Sequence, residues 1–194
     1  MAKLTRQDLH SLEKYAEIRA DFRARVIAHK KHRRVPLGAH AALYFEDALT
    51  MQYQVQEMLR IERIFEAAGI QDELDVYNAL IPDGGNWKAT FMVEYPVENE
   101  RRRALADLVD VEKAVWMRVE GFDPVAPIAN EDLDRSTADK TASVHFVRFE
   151  LTPDMVAAVR RGAEISAGVS HPAYQAILSP LPKVIRDSLA ADLA

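Results

Sequence analysis

The stretch IPDGGNWKATFMVEYP, residues 81–96, decides how this chain reads. Pro82-Asp83-Gly84-Gly85-Asn86 is a strong turn signal, and Lys88–Tyr95 follows it as a strand. Two glycines that open a strand rather than a helix cannot cradle a phosphate as a dinucleotide-binding turn does. The irregular order of elements on either side of this turn does not read as a doubly wound alternation of strands and helices. Downstream, a charged helix is predicted near Glu98–Leu108, then a strand over Ala114–Glu120 and a short one over Val125–Ala129. Ser143–Leu151, rich in aromatic and β-branched residues, reads as a strand. Thr152-Pro153-Asp154 opens a helix to Arg161, with Pro at the first helical position. Short strands over Glu164–Val169 and Gln175–Leu178 and a helix over Pro182–Leu193 complete this half.

Upstream, the pattern changes from twofold to helical. Asp72–Leu80 reads as a short helix, and Thr50–Ala68, free of Pro and Gly, as a long one with Gly69 at its C-terminal cap. From His40 to Glu46 the alternation puts Ala41, Leu43 and Phe45 on one face and His40, Tyr44 and Glu46 on the other. Ser11 caps a first long helix whose Tyr15, Ile18, Phe22, Val26 and His29 recur at helical steps. It runs into the basic sequence HKKHRR, residues 29–34, and Pro36 and Gly38 end it. The irregular order of elements predicts an α+β fold, a largely antiparallel sheet flanked by helices with a basic N-terminal helical arm. At 194 residues the chain reads as a single domain over 1–194, with the arm at 1–34 and an α+β body at 35–194.

Charge divides at the same point. Residues 1–34 carry a formal +6 and residues 35–194 a formal −11, for a total of −5. Such asymmetry marks either an arm that meets an acidic partner or a basic helix packed beside an acidic body. With zero Cys, thiol catalysis, Cys-ligated zinc and iron–sulfur clusters held by thiolates are excluded. No apolar run resembles a signal peptide or a membrane span, which predicts a cytoplasmic protein without membrane contact. Zinc-protease, serine-hydrolase, EF-hand and di-iron motifs are all missing from the sequence.

On a helical wheel of Thr50–Ala68, Met51, Val55, Met58, Leu59, Ile61 and Phe65 form one apolar arc. Gln52, Gln56, Arg60 and Arg63 lie opposite, as solvent-facing residues should. Gln54 and Glu62 fall inside the arc, and Glu57 at its edge. A carboxylate facing a core must be paired, hydrogen-bonded, protonated or coordinated. The wheel therefore predicts that the Gln54/Glu57/Glu62 side packs on the first helix, with Arg19, Arg23 or Arg25 as counter-charge. Arg is the residue best suited to a partly buried, bidentate carboxylate. His29 and His32, one turn apart, have the spacing of a metal pair, but they sit among Lys30, Lys31, Arg33 and Arg34, which repel a cation. His40 and Glu46 share a strand face on which acid–base chemistry is possible. Aromatic residues do not interleave with the basic run, and the acidic body opposes a phosphate backbone, so nucleic acid is disfavoured.

The blocks HKKHRRVPLG (29–38), FEDALTMQYQVQEMLRIERIFE (45–66), IPDGGNWKATFMVEYP (81–96) and SVHFVRFELTP (143–153) make the chain resemble, essentially end to end, the bacterial domain-of-unknown-function family numbered 3501. The block around Gln54, Gln56, Glu57, Arg60 and Glu62 is the specific one. The resemblance implies a context rather than an activity: similar proteins are encoded beside rubrerythrin-like and iron–sulfur oxidoreductase proteins, which suggests peroxide or redox metabolism. The leading expectation is a non-catalytic accessory protein, without a cofactor, that docks such a redox partner through the N-terminal helix and the 50–68 helix; a homodimer is possible. The rival is a metal-binding protein or enzyme using Glu57, Glu62, His29 and His40. Candidate binding residues across both are Gln54, Glu57, Arg60, Glu62, His29, His40, Glu46, Arg33 and Arg34.

Overall fold

The computed structural model describes residues 3–131, 135–137 and 139–194. Among the described residues it is an α+β fold of six α-helices and two antiparallel sheets. A 3-10 turn over Arg6–Asp8 precedes α1 (Leu12–Lys30), which is capped by the Ser11 hydroxyl accepting the Lys14 N–H. β1 (Arg34–Pro36) and β2 (Ala41–Phe45) form a hairpin, and α2 (Ala48–Glu62) and α3 (Ala67–Asn78) follow. Then come β3 (Asn86–Val93), α4 (Glu98–Asp107), β4 (Val115–Val119), β5 (Ile128–Ala129) and β6 (Val144–Glu150). α5 (Pro153–Arg160), β7 (Ile165–His171), β8 (Tyr174–Leu178) and α6 (Lys183–Ala190) complete the chain.

The larger sheet has the order β1-β2-β3-β6-β5, the smaller β4-β7-β8. Twofold alternation gives each central strand one apolar face. Leu43 pairs Phe91 and Phe91 pairs His145; Phe45 pairs Ala89 and Ala89 pairs Val147; Trp87 pairs Phe149. These inward rows join Val115, Met117, Ile165 and Ala167 of the smaller sheet, and Val156 and Leu189 of α5 and α6, in one apolar core. Trp87 is fully buried and satisfies its indole N–H on the Leu189 carbonyl at 2.9 Å. The opposite face of the larger sheet carries the rows Tyr44, Thr90, Phe146 and Lys88, Arg148.

The helical layer has its own, much smaller cores. Tyr15, Phe22 and Val26 of α1 pack with Leu49 and Tyr53, while Val55 and Leu59 of α2 pack with Leu74 of α3. Of α1, only Tyr15, Phe22 and Val26 are buried. Its seam is therefore far narrower than the arc of an ordinary core-facing helix.

The long helix expected over Thr50–Ala68 is two helices. α2 stops at Glu62, where Arg63 turns left-handed (φ 54°) and the Ile64 N–H reaches back to the Leu59 carbonyl. That is the closure of a Schellman-type cap, made here without glycine. Gly69, expected as a C-cap, lies in the first turn of α3 instead. A Cβ there would meet the Ile64 side chain at 2.8 Å, so glycine is needed for close approach. The break also rotates the expected apolar arc apart. Ile61 and Phe65 are exposed at 59% and 64%, whereas Gln56, expected in solvent, is fully buried.

Candidate functional site

The polar side chains of α2 act as separate latches, each to a different neighbour. Gln56 accepts the His10 N–H at 2.6 Å through Oε1 and donates from Nε2 to the His10 carbonyl at 3.3 Å. It thus mimics a strand partner for the segment ahead of α1, which is why an amide on the apparently wet side of the wheel is buried. Gln52 donates to the Asp8 carbonyl, and Gln54 donates to the Tyr77 hydroxyl on α3.

Glu57 ties α2 to α1. Arg19 donates to both of its carboxylate oxygens at 2.8 Å, Tyr15 donates its hydroxyl at 2.8 Å, and Arg60 adds a longer bond at 3.3 Å. The Arg19 fork, above all, holds the Glu57 carboxyl down at about 2, against the pull of partial burial. Burial and the bond to Glu57 push the Tyr15 hydroxyl up. The expected Arg–Glu pairing of α1 and α2 is therefore present, with Arg19 as the partner. Glu62 is not part of it: Arg63 ends the helix beside it, and Glu62 is exposed.

The basic run 29–34 does not extend as one solvated stretch. Arg33 is 2% exposed and each of its guanidinium nitrogens is used. It donates to the Phe45 and Glu46 carbonyls, to Ser188 of α6 and to Asp192 at 2.5 Å, with Asp47 at 3.4 Å. Arg33, expected at a binding surface, is instead a buried pin joining β2, the start of α2 and the C-terminal segment. His29 turns to the same place, with its Nε2 2.5 Å from Asp47, while His32 stays exposed. Asp47 also caps α2 by accepting the Thr50 N–H. Burial works against its charge, but Arg33, Thr50 and His29 together keep its carboxyl below the usual range. Asp192 goes the other way, pushed up to about 6 chiefly by burial, despite the Arg33 contact.

His40 and Glu46 share a face but not a site. His40 stacks on Tyr95 at 4.0 Å and faces the Glu94 carbonyl, whereas Glu46 accepts the Thr90 hydroxyl at 2.9 Å and leaves its other oxygen buried without a partner. Arg34 joins Tyr44 and Glu94 in a triad on the same sheet face. Glu57, Glu62, His29 and His40 thus stand in four places. Among the described residues, no three acidic or His side chains converge as metal ligands.

Two groups escape sequence reasoning. Fully buried His145 faces Glu112, Thr141 and Asn130, with Thr141 Oγ1 2.9 Å from Nε2 and Asn130 Nδ2 3.1 Å from Nδ1. Burial lowers its pKa, against the opposing field of Glu112. Alternation in Ser143–Leu151 could have placed His145 inward with Val147 and Phe149, but Val144 and Phe146 make the opposite face equally apolar in sequence. The second group, Lys88 with Arg148, gives no sequence signal, because only β3–β6 register joins them.

A family model described as "Protein of unknown function (DUF3501)" matches residues 3–193. The chain belongs to the DUF3501 family. It is similar to a solved structure, a novel protein of unknown function from Burkholderia pseudomallei K96243, with 50% identity over the whole of both chains and a TM-score of 0.94. No curated protein matches. Among the described residues, no helix is long and apolar enough to cross a membrane.

Proposed function

We propose that this DUF3501 protein is a non-catalytic accessory protein of a bacterial redox or peroxide-response system, acting in the cytoplasm by docking an acidic protein partner. The observation that carries this reading is the narrow seam of α1. Because only Tyr15, Phe22 and Val26 are buried, Arg23 and Lys31 stand exposed one turn to either side of Ile27, itself 43% exposed, and Arg25 lies exposed over the Phe22 ring. At the other end of the α1–α2 pair, the helix break presents Ile61 and Phe65, with Arg60 and Arg63 alongside. Cations around isolated apolar side chains favour fast, salt-sensitive association with an acidic surface. The partner class, an iron–sulfur or rubrerythrin-like protein, comes from the family's genomic context and is chosen on that ground alone.

The test is a binding titration of the full chain against the host's purified rubrerythrin-like protein. Raising salt from about 20 to about 200 mM should weaken binding about tenfold, because exposed charges are screened over such a range. The triple variant Arg23→Glu/Arg25→Glu/Lys31→Glu should abolish it, while Ile61→Ser/Phe65→Ser should raise the dissociation rate. Absence of binding at low salt, or affinity indifferent to the triple reversal, would contradict the proposal.

A further inference from the structure

β8 closes the smaller sheet on one side, and among the described residues it pairs with β7 alone. The two-residue turn Pro172-Ala173 makes His171 and Tyr174 a hydrogen-bonded pair, and the pairing then alternates along the hairpin. Tyr174, Ala176 and Leu178 therefore spend their backbone groups on β7, whereas Gln175 and Ile177 turn theirs outward. The side chains of Gln175 and Ile177 stand on the solvent face of the sheet, where Ile177 is 69% exposed. Register puts Trp116, Gly168 and Ile177 in one row across β4, β7 and β8. The Trp116 indole lies so close over Gly168 that a Cβ there would meet the ring at 2.3 Å, and it donates to the Ser170 hydroxyl at 2.9 Å. From the other face the strand is pinned: Tyr174 donates its hydroxyl to the Leu37 carbonyl at 2.6 Å and accepts the His40 N–H at 3.0 Å.

An open edge is a template for another strand, and natural edges are blunted by charge, proline or a bulge. β8 has none of these: its register with β7 is unbroken, and residues 165–182 contain no Asp, Glu, Lys or Arg in a chain that is 28% charged. This is the longest uncharged run in the sequence. The net charge of −5 repels a second copy, and the β7–β8 hairpin is the part of the chain that adds nothing to that repulsion. It also offers no charge by which a foreign partner would be selected. Its hydrogen-bonding edge, by contrast, complements itself. A twofold axis at Ala176 sets Gln175 of each copy opposite Ile177 of the other and uses every outward backbone group of β8. The small Ala176 then meets its own copy at the close, non-hydrogen-bonded position, about 4.5 Å between Cα atoms, and the two Ile177 side chains become diagonal neighbours. We propose that β8 pairs antiparallel with β8 of a second copy about this axis, joining two three-stranded sheets into one of six. The contact uses no residue of α1 or α2 and is independent of the docking surface proposed above.

A five-residue edge buries less than the roughly 1,600 Å² of a standard interface, so a dissociation constant on the order of 10 µM is expected. Sedimentation equilibrium of the full chain from about 1 to about 300 µM should show the mass climbing from that of one chain toward twice that value. Ile177→Lys places like charges on the diagonal across the axis and should weaken association at least about tenfold, whereas Ile177→Val should keep it within about twofold. Ile177 is exposed in the single chain, so both variants should melt as the wild type does at the lowest concentration. Amide exchange locates the contact. The Gln175 and Ile177 amides should exchange almost freely at about 1 µM and at least about fivefold more slowly at about 300 µM, with Ala176 and Leu178 protected at both. A single-chain mass throughout that range, which would leave the edge to a strand of another protein, would overturn the proposal. So would a dimer indifferent to Ile177→Lys, or one in which the Gln175 and Ile177 amides stay unprotected.

Discussion

The two-sheet body and the helical layer are both held by buried side chains, but of different kinds. In the body, Phe45, Phe91, Trp87, Phe149 and Ile165 bury apolar surface in one continuous core. In the layer, two small apolar clusters are supplemented by Gln56, by Glu57 with its Arg19 fork, and by Asn78, whose side chain exchanges two bonds with the Leu4 backbone. Burial of apolar area is non-directional and tolerates sliding, whereas a latch such as Gln56 to His10 specifies one register. The difference teaches how a helix with a three-residue seam keeps a unique position: a few buried polar bonds set the register that area alone would leave loose.

Substitutions separate the two modes. Phe149→Ala should destabilise the chain by about 3–5 kcal/mol in denaturant unfolding, as large cavities in apolar cores do. Arg33→Met, at the junction of body and layer, should cost about 3–5 kcal/mol, because Asp192 and Asp47 would be left buried without their cation. Gln56→Ala removes both partners of the His10 backbone and should cost about 1–3 kcal/mol, the penalty of leaving such groups unsatisfied. Glu62→Gln, on an exposed side chain, should change stability by less than about 0.5 kcal/mol. A large effect at Glu62 would mean that the layer is packed as the unbroken helical wheel implies.

Acid and base should also act on the two regions with opposite sign. Glu57 titrates at about 2 folded and near 4.5 unfolded, so the unfolded chain binds the proton first. Its contribution is complete above about 4.5 and is lost as pH falls toward 2. Asp192 titrates at about 6 folded and near 3.8 unfolded, so the native chain holds the extra proton. Its contribution is complete below about 4 and is lost as pH rises toward 6. Glu57→Gln should therefore flatten the acid limb of a stability–pH curve, and Asp192→Asn the stretch between about 4 and 6.

The central strands were legible from the turn signal ahead of one and the aromatic and β-branched composition of the other: Lys88–Tyr95 and Ser143–Leu151 lie within a residue or two of β3 and β6. The edge strand β1 was not, since its three residues sit in a basic run ended by proline. The helical layer misled where one local event, the left-handed Arg63, broke a periodic pattern that continues through Phe65. Of the candidate residues, an Arg–Glu tie between α1 and α2 followed from inventory, because a half-buried carboxylate needs a fork and α1 carries the arginines, but which of Arg19, Arg23 and Arg25 meets which of Glu57 and Glu62 did not. Asp192 and His145 were illegible, since their environments come from chain segments up to 159 residues away in sequence.

Native-state hydrogen exchange of the wild type and of Gln56→Ala measures the contrast directly, amide by amide. If polar latches hold a separately opening layer, amides of α1 and α2 exchange through an opening of lower free energy than those of β3 and β6, and Gln56→Ala lowers protection in the layer by about 1–3 kcal/mol while β3 and β6 keep theirs. A single common opening free energy for all four elements, lowered equally everywhere by Gln56→Ala, would contradict it.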